Sequence, residues 1–434
     1  MKTIEFKQLD ETLYYKQLNN GLDVYILPKK GFSKTFVTFT TKYGSIDRTF
    51  VPIGETEPIT VPDGIAHFLE HKMFEKEDGD VFQQFSEVGA QANAFTSFTR
   101  TAYLFSATDY IYKSTETLLN FVQEPYFTEE TVNKEKGIIG QEITMYDDLP
   151  DWRLYFGTIE NMYHTHPVKI DIAGTIESID GITADHLYTC YNTFYHPSNM
   201  LLFVIGAVDP IEMLAFIEDN QNQKQFPEPT ETKRLFDEEP LSVAVPERVL
   251  HMDVQKPKVS IGLKAKESDF SGEEMMKHEL SVQIGLECLF GRASSFYTDV
   301  YDNGLIDESY SFDFSLEKGY GFAMIGSDTE RPDELIAAIK AKLAEAEQSN
   351  IFTTEDIERI KRKKIGFFLR ALNSLEFIAN QFTRYKFNEM NLFDVVPMLE
   401  KLTVDDITTA FKTIQGKEQQ TVFTILPISE RTGK

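Results

Sequence analysis

The 434 residues carry 69 acidic against 43 basic side chains, a formal net charge of −26 at pH 7, with 41% hydrophobic residues. That length predicts two to four domains at roughly 100–200 residues each, while the charge repels phosphates and anionic headgroups and so excludes a generic nucleic-acid or membrane-surface binder. The N-terminal residues lack the apolar stretch of a signal peptide, the longest apolar run (200–208) is too short for a bilayer, and Cys190 and Cys288 form no Cys-x-x-Cys pair, so a cytoplasmic chain without a disulfide framework is expected.

Alternating apolar positions predict strands over residues 22–27 and 35–40. Helical spacing starts after Pro62-Asp63-Gly64, with Asp63 placed as the cap, and runs through Ile65, Phe68, Leu69 and Met73. A short helix at 81–88 and a long strand or hairpin at 92–107 follow. Helices are expected at 110–123, 129–146, 152–163 and 183–194, then an apolar strand at 200–208 and a helix from Pro210. Residues 221–247 lose all apolar periodicity in favour of Gln, Glu, Pro and Thr and read as a linker.

Beyond it the same order recurs: strand 259–263, helix 273–290, hairpin 309–325, helices 332–346 and 355–369, two more helices and a strand at 421–426. The fold class is therefore α+β. It has two structurally similar halves, residues 1–220 and 248–434, each a mainly antiparallel sheet backed by helices.

Within the first long helix stands His67-Phe68-Leu69-Glu70-His71. Residues four apart share a helix face, so His67 and His71 can direct two imidazoles at one metal ion, with Glu70 at the edge of that face within reach of a water. Burying two imidazoles and a carboxylate on one face without a metal is costly. A catalytic zinc site needs a third protein ligand. The helix from Glu129 offers Glu135 and Glu142, two turns apart on one face, and spacing does not choose between them. His164 and His166, beside Pro167, read as a surface loop, and His186, His196, His251 and His278 as isolated residues at helix ends or surfaces.

Together with Glu135-Lys136-Gly137-Ile138-Ile139-Gly140-Gln141-Glu142, the His67 to His71 motif resembles the insulinase (pitrilysin) family of inverted-motif zinc metallopeptidases, mitochondrial processing peptidases among them. Within the family, the chain resembles bacterial proteins associated with 5-aminopentanol modification of elongation factor P. The resemblance implies zinc held by His67, His71 and Glu142, support from Glu135, and Glu70 as the base that activates water. It also makes residues 89–96 an edge strand on which Asn93 and Ala94 hold an extended peptide.

The second half has no such motif. Where the family places an arginine and a tyrosine around a Gly-Leu, the chain has Val300 and Asp307 around Gly304-Leu305, with Tyr301 and Tyr310 close by as substitutes. The expected function is zinc-dependent cleavage of short or unfolded, cationic peptides. The alternative is a non-peptidase scaffold in a modification pathway that keeps the zinc site. A dimer is expected, with a related chain ahead of a second copy, and neither nucleic acid nor membrane as partner.

Overall fold

The computed structural model describes residues 1–77, 79–229, 231–266, 270–348 and 351–428. The chain folds into two compact units that are not contiguous in sequence. The first comprises Met1–Ile143, Ile170–Phe236 and Ala371–Phe387, the second Thr144–Lys169, Asp237–Arg370 and Asn388–Lys434.

In the first unit seven strands pair in the order Lys2–Phe6, Glu11–Gln17, Asp23–Pro28, Met200–Gly206, Thr35–Thr41, Thr101–Ala107, Gln91–Thr96. Every pairing is antiparallel except that of Met200–Gly206 with Asp23–Pro28. Gln91–Thr96 is an edge, with Ala94 opposite Tyr103 and Asn93 opposite Leu104. Alternate residues Val24, Ile26, Val37, Phe39, Tyr103, Phe105, Leu202 and Val204 make one buried face, and Phe68 and Leu69 of the helix Ile65–Met73 pack into it.

The second unit repeats this scheme in five strands: Glu247–Met252, Gln420–Pro427, Lys258–Lys264, Tyr320–Asp328, Ser311–Glu317. Again one pair, Glu247–Met252 with Gln420–Pro427, is parallel and the rest antiparallel. The expected duplication is thus visible in five strands of each unit, as two mixed, mainly antiparallel sheets backed by helices. The terminal strands Lys2–Phe6 and Glu11–Gln17 have no counterpart in the second sheet; like Glu247–Met252 they bury at most one residue each, so the sequence carries little apolar signal for them.

The contiguous halves expected from sequence differ from the compact units in one respect: each gives up a helix. Pro150–Met162 packs on Gln420–Pro427 and Lys258–Lys264 of the second sheet, and Leu375–Phe387 packs on Thr35–Thr41 and Met200–Gly206 of the first. Phe382 lies 4.9 Å from Tyr25 and 4.7 Å from Phe203 between ring centroids, on the sheet face opposite Phe68. Gly157 sits where a Cβ would come within 2.4 Å of the Phe423 ring, which accounts for a glycine inside that helix.

Residues 221–247 are also more integrated than a linker. Gln221 is buried at the end of the helix Pro210–Asn222, Lys233–Arg234 pairs with Thr49–Val51, and the Arg234 guanidinium donates to Asp47 at 2.7 Å. Three helices, not two, precede the last strand.

Candidate metal centre

The helix Ile65–Met73 opens on Gly64 in the left-handed region (φ 86°), without a side-chain cap. A Cβ at Gly64 would lie 2.3 Å from the Ala173 carbonyl oxygen, so only glycine lets this turn pass beneath residues 173–174. Asp63, expected as the cap, is carried past the helix end and pairs with Arg48 at 3.1 Å.

One turn into the helix, His67 and His71 lie side by side, ring centroids 4.5 Å apart. The helix Glu129–Asp147 brings Glu142 to both: Oε1 is 3.7 Å from His67 Nε2 and Oε2 is 3.6 Å from His71 Nε2. One ligand atom from each of the three lies within 4.8 Å of the others. Tetrahedral zinc with its usual bond lengths holds neighbouring ligand atoms about 3.3–3.5 Å apart, and the two histidine-to-glutamate distances, 3.7 and 3.6 Å, lie close to that spacing.

Glu135, two turns before Glu142, accepts a hydrogen bond from His71 Nδ1 at 3.1 Å. That bond fixes the tautomer and leaves Nε2 as the free donor atom, the usual arrangement of a carboxylate behind a metal-binding imidazole. Among the described residues His67 Nδ1 is buried without a hydrogen-bond partner, so none of them sets its tautomer. The spacing ambiguity between the carboxylates is thereby resolved geometrically: Glu142 faces both Nε2 atoms and Glu135 faces the back of one ring.

Electrostatics separates the groups. Burial, with the charge of His71, pushes His67 down to about 4 and keeps it a neutral ligand. For His71, burial works against the charged form, but the Glu135 hydrogen bond and the fields of Glu70 and Glu142 outweigh it and raise the pKa. Burial would raise Glu135, yet its bond to His71 holds it lower. Glu70 is buried and pushed up to about 7, a value that a divalent cation alongside would bring back down. Its Oε2 accepts from the Thr96 hydroxyl at 3.0 Å. Thr96 was read in the sequence only as part of the edge strand; its contact with Glu70 depends on packing of that strand against the helix.

Asn93 and Ala94 lie on the edge strand, but the Ala94 N–H already donates to Asn93 Oδ1 at 2.9 Å. A peptide adding to this edge through Ala94 must first displace the Asn93 amide.

In the second unit the corresponding helix, Gly272–Phe290, packs on the edge strand Ser311–Glu317. It meets cations instead of carboxylates: Lys364 Nζ donates to Gln283 Oε1 at 3.1 Å, and Lys363 pairs with Glu287. Val300 is buried, and Asp307 pairs with Lys256 at 3.2 Å. Of the two tyrosines expected as substitutes, Tyr310 is tied by its hydroxyl to the Phe290 carbonyl at 2.9 Å, whereas Tyr301 is exposed.

The reading of the other histidines needs correction. His166 is buried, its Nδ1 accepting from the Val168 N–H at 3.1 Å. His196 is buried as well but does stand at a helix end, capping the turn Pro197–Asn199, and His251 is exposed as expected; His278 departs from the reading, buried in mid-helix. Each buried ring also meets a residue distant in the chain: the Tyr320 ring beside His166, the Pro227 carbonyl on His196 and the Thr413 hydroxyl on His278.

A duplicated α+β frame with two histidines and a glutamate converging beside a second glutamate defines an inverted-motif metallopeptidase architecture. The comparisons agree. Residues 50–176 match the model described as insulinase (peptidase family M16), and residues 181–364 match the M16 inactive domain. A Bacillus subtilis protein called "Uncharacterized zinc protease YmfH" is 57% identical over 429 residues, 99% of this chain and 100% of that one. The crystal structure of an M16-like protein from Alicyclobacillus acidocaldarius superposes with a TM-score of 0.92 at 39% identity, covering 96% of this chain and 99% of that one. A Helicobacter pylori protease, at 20% identity and a TM-score of 0.79 over 96% of this chain and 99% of its own, shares the fold. The chain belongs to the insulinase family, peptidase family M16.

One zinc per chain is the expected stoichiometry by atomic emission. Glu142→Ala is expected to lose it on gel filtration, while Glu135→Gln, which still has an oxygen facing His71 Nδ1, weakens binding by roughly 10–100-fold.

Proposed function

We propose that the chain is a zinc-dependent endopeptidase acting on short or unfolded, cationic peptides. The carrying observation is the convergence of His67, His71 and Glu142 with Glu70 one residue from a ligand and held by Thr96. Zinc bound there would supply Lewis acidity and a water of lowered pKa. His67, His71 and Glu142 hold the ion, and Glu135 orients the His71 ring. Glu70, with Oε2 fixed by Thr96, turns its other oxygen to the proton of the attacking water and returns that proton to the leaving amine. Asn93 and Ala94 hold the substrate backbone extended against the edge strand.

Val300 and Asp307 favour a partner for full activity, a related chain ahead of a second copy. They are also what supports the second reading, a scaffold that retains the site. A place in elongation factor P modification rests on the sequence resemblance. Among the described residues no helix is long and apolar enough to cross a membrane.

The test is a peptide-library digest with zinc-loaded protein, alone and mixed with a related chain, with and without chelator. Cleavage that chelator abolishes and zinc restores is expected. Absence of cleavage in every mixture would transfer the assignment to the scaffold.

A further inference from the structure

The helix Thr354–Ala371 carries, up to Arg370 in the second unit, a surface that the metal centre does not use. In a chain of net charge −26, every charged residue from Arg359 to Arg370 is basic. Two of these cations turn inward. Lys361 is buried and donates to the Glu400 and Leu402 carbonyls at 3.0 and 3.1 Å, and Lys364 is half-buried and donates to Gln283. They share the inner side of the helix with the buried Ile357, Ile360 and Phe368. Arg359, Arg362, Lys363 and Arg370 stand on the other side, all exposed.

Three features set this face apart from an ordinary solvated one. Phe367 is 60% and Leu369 44% exposed, and solubility alone gives no reason to place them among cations. Gly366 lies on the same face, where an added Cβ would meet no atom within 4 Å. Alanine would therefore fit and favour the helix, whereas glycine keeps the backbone open to close approach from outside. Arg362 stands mid-helix, out of reach of the helix dipole, which acts within the last turn. Among the described residues it forms no hydrogen bond or ion pair, whereas Arg359 pairs with Asp356 at 2.8 Å and Lys363 with Glu287. The Arg370 guanidinium lies 5.4 Å from the centroid of the Phe367 ring, so charge and aromatic surface are already side by side.

We propose that this face docks an acidic segment of a partner protein, one that carries apolar side chains among its carboxylates. The carboxylates meet Arg362 and Arg370, whose planar forks suit bidentate pairing. An apolar side chain rests on Phe367 and Leu369 across Gly366. Charge complementarity selects this occupant over other anions. At physiological salt the field of each cation falls off over about 8 Å, so a short segment samples this face alone. An anionic bilayer or a nucleic acid extends farther and meets the acidic remainder of the surface. The docking goes beyond the peptidase reading and needs neither zinc nor the edge strand of the first unit.

The test uses the zinc-loaded full chain bearing Glu70→Gln, so that no peptide is cut. Fluorescence anisotropy at physiological salt follows a fluorescein-labelled dodecapeptide rich in glutamate with two leucines, beside counterparts in which glutamine replaces glutamate or serine replaces leucine. Saturable binding of the first peptide is expected, with the glutamine counterpart weaker by roughly tenfold, the combined loss of a few exposed ion pairs. Arg362→Glu and Phe367→Ser should each weaken binding severalfold and together abolish it. Both positions are exposed, so thermal melts and zinc content of these variants should match the parent. Chelator should leave the affinity unchanged. An affinity unaltered in the double variant, a glutamine counterpart that binds equally well, or binding lost with the zinc overturns the proposal. So does tighter binding of phosphatidylglycerol vesicles or a single-stranded oligonucleotide than of the acidic peptide. Because the readout is binding by a chain without turnover, failure of the peptidase assignment leaves this result standing, and cleavage without such docking defeats the docking alone.

Discussion

Glu70→Gln is expected to keep its zinc and lose peptide turnover by roughly a thousandfold, the middle of the range over which a positioned acid or base accelerates proton transfer. Glutamine preserves volume and can still meet the Thr96 hydroxyl, which now bonds Glu70 Oε2 at 3.0 Å. It cannot accept and return a proton. The ligand set of His67, His71 and Glu142 is untouched, so metal content by atomic emission should equal that of the parent. If the variant cleaves peptides at more than a tenth of the parent rate, Glu70 is not the base. If it loses zinc instead, its role is to hold the site together. Thr96→Val separates positioning from proton transfer: it leaves the carboxylate but frees its orientation, so a smaller fall in kcat and a displaced pH profile are expected.

The second large effect concerns stability. Glu239 and Lys264, each with a side chain 3% exposed, form a buried ion pair in the second unit. Glu239 also accepts from the backbone N–H groups of His164, Thr165 and His166 at 2.9, 2.8 and 2.7 Å, closing the loop that holds both histidines. Lys264 donates further to the carbonyls of Pro240 and Ser242 and lies 4.7 Å over the Tyr163 ring. Removing one member strands a buried charge and three amides, so Glu239→Ala should destabilise the second unit by about 3–5 kcal/mol in urea unfolding.

The pH dependence has a definite sign. Burial alone would raise the Glu239 carboxyl, but the His164 amide, Lys264 and the other two amides hold it down at about 2, below its ordinary 4.5. A carboxyl depressed in the folded state contributes stability above its unfolded pKa and loses it as pH falls through the folded value. The parent's unfolding free energy should therefore drop between about pH 5 and 2 more steeply than that of Glu239→Gln. Parallel curves would show that Glu239 titrates normally.

How much of this was legible beforehand follows from the range of each interaction. The spacing of His67, Glu70 and His71 is local to one helix, so three-and-four periodicity placed them on one face before any packing was known. The same holds for Glu135 and Glu142 as a pair, and element order exposed the duplication because each repeat carries its own strand and helix periods. Chain order did not reveal which sheet a helix covers. Pro150–Met162 and Leu375–Phe387 have ordinary amphipathic sequences, and their exchange depends on surfaces such as Phe423 against Gly157 and Phe382 against Tyr25 and Phe203, all distant in the chain.

The sequence by itself thus determined the candidate metal-ligating histidines with Glu70 beside them, the repeated α+β plan and the absence of a matching motif in the second half, since all three are written in local spacing. Tertiary structure decided the rest: Glu142 in front of the imidazoles and Glu135 behind, Thr96 on Glu70, and the Asn93 amide over the edge strand. Each of these joins side chains from elements that meet only when apolar faces pack, and no periodicity within one segment encodes the face its partner will present.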